Sequence, residues 1–153
     1  MLDASRLTFF FLAGKTLVAG ALLFALTLPM TTCTFRQSVQ EHRIELTTDN
    51  IGTILCFVWP IVFLLARVLS ARARALIWPF IVECVLAVAA WIVLTLQVSI
   101  AAVFTLGGIT PAAGYKLASS SLAGYFALSL FEGALIVLDR WERRLPGPAG
   151  AAQ

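Results

Sequence analysis

Charge is what this sequence has least of. Of its 153 residues only 12% are Asp, Glu, Lys or Arg, while 60% are hydrophobic. A soluble domain carries about 25% charged and about 45–50% apolar residues. So few charges cannot cover a water-facing surface, and lipid is the expected solvent. Histidine is nearly missing as well. His42 is the single one, set in a polar stretch, which argues against a metal or haem site built from histidines. Three cysteines, Cys33, Cys56 and Cys84, form no C-x-x-C pair. No metal and no cofactor are expected. The net charge of +3 is too small and too scattered for a nucleic-acid partner. No acid, base and nucleophile gather in one motif, so the chain reads as non-enzymatic.

What the sequence does have is long apolar runs. They cover about 7–29, 51–69, 76–106 and 117–138. Each meets the roughly 20 residues that a helix needs to cross a hydrocarbon core of about 30 Å, and the third is too long for one vertical span. In lipid the backbone must satisfy its own polar groups, so such runs should be helices. Strands of a membrane barrel would alternate in polarity, and these runs do not. The first run is long and interrupted by Lys15, unlike the short apolar centre of a signal peptide. Cys33 is preceded by Thr32 and Met30, a poor match to a lipoprotein cleavage box.

The expected fold is an all-α integral membrane protein with four transmembrane helices in an up-down bundle over residues 1–140. Residues 30–50 read as a polar outer loop, more readily solvated than laid on the membrane surface. Residues 141–153 read as a short basic segment followed by a disordered cytoplasmic tail. Basic residues set the orientation. Arg6, Arg67, Arg72, Arg74, Arg140, Arg143 and Arg144 fall on one side of four spans, against Arg36, Arg43 and Lys116 on the other. Both termini are therefore expected in the cytoplasm, with a bacterial inner membrane as the expected location. Arg67, Arg72, Arg74, Arg140, Arg143 and Arg144 are read as topology markers that can touch anionic lipid.

Three charges lie inside the runs. Lys15 is nine residues past Arg6, Glu83 nine past Arg74, and Glu132 eight before Arg140. At 1.5 Å per residue all three lie about 12–14 Å from the arginine level. Helical spacing supports a common meeting point. Ser121, Tyr125, Ser129 and Glu132 share one stripe, as do Glu83, Ala87, Ala90, Leu94 and Gln97. A charge near the middle of a span costs about 2.5–3.5 kcal/mol, so Lys15, Glu83 and Glu132 are expected to pair. That leaves one negative charge over, most simply resolved by a proton retained on Glu83 or Glu132.

Other features carry bland expectations. Pro60 in "CFVWPIVF" should kink the second run. Cys33 and Cys56 share the outer half but are expected to stay unbonded. The expected partners are the lipid bilayer and either another membrane protein or a second copy of the chain. The role expected is an accessory, assembly or envelope-maintenance protein whose Lys-Glu-Glu layer clasps the helices. The alternative is a proton-linked transporter or channel subunit using the same layer as a relay.

Overall fold

A computed structural model of the chain describes residues 4–35, 38–43, 51–69, 78–104 and 108–142. Among them are four long helices: α1 (Ala4–Ala25), α2 (Ile51–Leu69), α3 (Trp78–Phe104) and α4 (Ala113–Glu142). Three strands accompany them: β1 (Thr31–Phe35), β2 (Ser38–His42) and β3 (Gly108–Pro111). The chain is thus of the all-α class with a small sheet added at one end. The helices α2, α3 and α4 are long and apolar enough to cross a membrane, and the apolar stretch of α1, Phe9–Ala25, is shorter.

The helices close into a ring. α1 packs on α2, α2 on α3, α3 on α4, and α4 back on α1. Large apolar side chains point outward all round this ring, among them Phe10, Leu17, Leu55, Val85 and Phe131, each more than half exposed. In water such a surface would be unstable. In hydrocarbon it costs nothing, because lipid tails are as apolar as the side chains themselves. The composition and the outward-facing side chains together define an integral membrane protein.

Local chemistry sets the helix ends. α1 stops at Ala25, four residues before the end of the apolar run. The amides of Leu26, Thr27 and Leu28 bond carbonyls three residues back, at 3.0–3.1 Å, a tightened last turn. Pro29 follows, which has no N–H to continue the ladder. α4 starts earlier and ends later than its apolar run, and its 30 residues span about 45 Å. Pro60 lies inside α2 and is fully buried. Its ring leaves the Cys56 carbonyl without the usual helical donor.

The stretch 30–50, read from sequence as a solvated polar loop, is structured in its described part. β1 pairs antiparallel with both β2 and β3, in the order β2-β1-β3. β1 is a run of threonines with one cysteine and one phenylalanine, well suited to a pleated strand. Its alternation divides the faces. Thr31 and Cys33 are buried, while Thr32 bonds the Thr110 hydroxyl at 2.7 Å on the other face. β3 comes from the glycine-rich break between the third and fourth runs, so the sheet ties the exit of α1 to the α3–α4 connection.

That junction is close. The amides of Ala112 and Gly114 donate to the carbonyls of Met30 and Pro29, at 3.0 and 2.9 Å. A Cβ on Gly114 would meet the Pro29 carbonyl oxygen at 2.8 Å and that of Leu28 at 2.9 Å. Both are backbone atoms that cannot step aside. Above this junction the core is apolar, built from Leu22, Ala25, Met30, Phe57, Ala90, Leu94, Ala118 and Leu122.

The contact predicts a sharp contrast between two glycines. Gly114→Ala should lower unfolding stability in detergent by about 1–3 kcal/mol, the usual cost of overpacking. Gly20→Ala, in a helix position with nothing within 4 Å of the new Cβ, should be neutral or stabilising by up to about 1 kcal/mol. Denaturant titration followed by circular dichroism reads both.

Candidate functional site

Each helix contributes one charged side chain to the interior. Lys15 comes from α1, Arg67 from α2, Glu83 from α3 and Glu132 from α4, and all four are buried. Every opposite-sign pairing among them is made. The Lys15 ammonium donates to Glu83 Oε2 and lies 2.9 Å from Glu132 Oε2. The Arg67 guanidinium holds Glu132 with two bonds, 2.9 Å to Oε2 and 2.6 Å to Oε1. It also lies 3.6 Å from Glu83 Oε1. The fork-to-fork match of guanidinium and carboxylate favours strong, oriented bonds.

The ring of helices gives this layer its shape. α1 packs on α2 and α4, and α3 lies across the ring from α1. Lys15–Glu83 and Arg67–Glu132 are therefore the two diagonals, while Lys15–Glu132 and Arg67–Glu83 link neighbouring helices. The four charges meet at the central axis. Ser129, one turn before Glu132 in α4, donates to Glu83 Oε2 at 2.8 Å. The Phe80 ring lies 5.3 Å from the Lys15 nitrogen and 4.5 Å from the Arg67 guanidinium carbon. The Tyr125 ring lies 5.4 Å from the Lys15 nitrogen. Aromatic faces at this range add attraction for both cations.

Arg67 corrects the sequence reading. It was assigned with the flanking arginines as a surface marker and lipid contact, but it is only 5% exposed. With it the layer holds two cations and two carboxylates, and the leftover negative charge disappears. No retained proton on Glu83 or Glu132 is needed for balance. A signal for this was present. Thr53, Phe57, Pro60, Leu64 and Arg67 step along α2 by four, three, four and three, and all five are buried. Arg67 ends the interior stripe of its helix.

The remaining singled-out residues divide. Ser121, Tyr125 and Ser129 lie on the buried face of α4 with Glu132. Gln97 is exposed, far from the layer along α3, and donates to the Thr53 hydroxyl of α2. Arg140 is exposed on α4. Arg72, Arg74, Arg143 and Arg144 lie outside the described residues. The three cysteines are free thiols. No group of three or more His, Cys, Asp or Glu side chains able to hold a metal occurs among the described residues.

Trp59, beside Pro60 on α2, packs edge-on against Tyr125, with ring centroids 5.1 Å apart, and against Phe63 at 5.9 Å. The chain matches no protein-family model, no curated protein and no solved structure. The functional reading rests on the site's own chemistry.

The layer predicts strong coupling. Arg67→Met leaves two buried carboxylates facing one ammonium and should cost about 3–5 kcal/mol of stability. Adding Glu132→Gln to Arg67→Met should recover part of that loss, with a coupling of about 0.5–3 kcal/mol. Unfolding titrations of the two single variants and the double variant check this. Additive losses would mean that the pair does not interact.

Proposed function

We propose that this chain is a small, non-enzymatic membrane protein that acts through helix contacts in the bilayer, as an accessory, assembly or envelope-maintenance component. In this reading all four helices span the membrane as an up-down bundle. Both termini and the α2–α3 connection lie on the cytoplasmic side, in a bacterial cytoplasmic membrane. The charge layer is the clasp that holds the four helices together at one depth, and the apolar outer faces meet lipid, another membrane protein or a second copy.

One observation carries the reading. Every charge of the layer is matched inside the layer, with one charge from each helix. A closed, balanced set of four has no spare charge to offer a substrate or ion. It does tie all four helices together at one depth, since each cation reaches both carboxylates and two of the four pairs cross the ring.

A second reading, a proton-linked transporter or channel subunit, draws on a different observation. The Tyr125 hydroxyl and Glu83 Oε1 are buried beside the layer without a hydrogen-bond partner, and the Gln97–Thr53 bond lies further along towards the sheet. Intramembrane ionisable groups are commonly parts of proton pathways.

Two measurements separate the readings. Purified protein in liposomes with an internal pH dye should give proton flux no higher than empty vesicles. A flux removed by Glu83→Gln would replace the clasp by the relay. In native membranes, a photo-crosslinking residue at Val85 or Phe131 should form a discrete protein adduct. Adducts to lipid alone at every outer face would contradict a contact-based role. Orientation is read by an impermeant maleimide on cysteines placed at Gln40 and Leu69. The first should label from outside the cell, and the second only after permeabilisation.

A further inference from the structure

The charge layer is saturated on one flank and open on the other. Towards the start of α3 the Phe80 ring lies against both cations. On α4, two turns from Glu132 in the direction of the sheet, stands Tyr125. Its side chain is fully buried, and its hydroxyl has no hydrogen-bond partner among the described residues. Glu83 is equally buried. Its Oε2 receives Lys15 and Ser129, while Oε1 accepts no hydrogen bond and has Arg67 only at 3.6 Å. The indole N–H of Trp59, whose ring packs on Tyr125, is a third buried polar atom without a partner.

These orphans belong to one neighbourhood. Lys15 touches both the Glu83 carboxylate and the Tyr125 ring. Ser129 joins Glu83 to α4 one turn from Tyr125. A buried polar atom without a partner costs about 1–3 kcal/mol. Three of them from three helices would oppose the pairing that the layer supplies. The two oxygens and the indole N–H differ in what they need. Glu83 Oε1 needs a donor, Trp59 Nε1–H an acceptor, and the Tyr125 hydroxyl can serve as either. Water is the small molecule that meets all three demands, and buried waters typically make two to four such bonds.

We infer that the space between Glu83, Tyr125 and Trp59 is a hydration site, holding ordered water that donates to Glu83 Oε1 and bonds the Tyr125 hydroxyl. The site extends the polar network from the charge layer along α4 towards the sheet. It does not depend on the accessory role, since a clasp and a relay would each be completed by it.

The wild-type protein in lipid bilayers, labelled with 13C at tyrosine and glutamate, provides the test by water-edited solid-state NMR. Early magnetisation transfer from water to the Glu83 carboxyl and the Tyr125 ring is expected, although both are shielded from bulk solvent. Absence of early transfer to both would overturn the site. Tyr125→Phe gives an independent readout. If water bridges the hydroxyl, its loss should raise the unfolding equilibrium constant about tenfold (about 1.4 kcal/mol) and slow the transfer to Glu83. If the hydroxyl is simply stranded, Tyr125→Phe should leave that constant unchanged or lower it, with the Glu83 signal unaltered, and the inference fails.

Discussion

A charge buried among apolar side chains must find an opposite charge, and this one constraint organises the molecule. Each of these ions, buried without a partner, would cost several kcal/mol. Four such ions would cost on the order of 10 kcal/mol, comparable to the whole stability of a small domain. The structure meets the constraint by bringing the four to one level, one from each helix, so that each cation reaches both carboxylates. Two of these contacts cross the ring. Diagonal helices have little direct packing to hold them in register, so the charges supply a link that side-chain packing alone does not.

The rest of the fold follows from keeping that level fixed. The two cations sit on adjacent helices and the two carboxylates on the next two, so each like-charge pair is held together by the opposite charges that both of its members contact. At the far end the sheet and the Gly114 junction bind the exit of α1 to the entry of α4 through backbone hydrogen bonds. Between the two lies the apolar core. A polar layer, an apolar middle and a hydrogen-bonded cap therefore follow one another along the axis. The ion pairs add less net stability than their number suggests, because desolvation offsets much of the Coulombic attraction.

Much of this was legible in the sequence, for physical reasons that can be named. The apolar runs gave the helices, since lipid permits little else over 20 residues, and α2 matches its run residue for residue. Lys15, Glu83 and Glu132 could be placed at one depth because helix rise is constant. Arg67 escaped because it lies near a helix end, where arginine is usually a surface marker. Only its place on the buried stripe of α2, and the odd charge left over without it, gave it away. The sheet escaped for another reason. β1 and β3 are far apart in the chain, and short threonine-rich segments resemble loops until a partner strand is known. The Gly114 junction depends on the approach of two backbones, and nothing local in "PAAGYK" reveals that.

The account stands on the contact between the charges themselves. Solid-state NMR dephasing between 15N-labelled lysine and arginine side chains and 13C-labelled glutamate carboxyls, in lipid bilayers, measures it without altering any residue. Strong early dephasing is predicted for Lys15 with both Glu83 and Glu132, and for the Arg67 guanidinium with Glu132, whose oxygens lie 2.6 and 2.9 Å from its nitrogens. Glu83 and Glu132 carboxyls that show no dephasing from either cation would contradict the account.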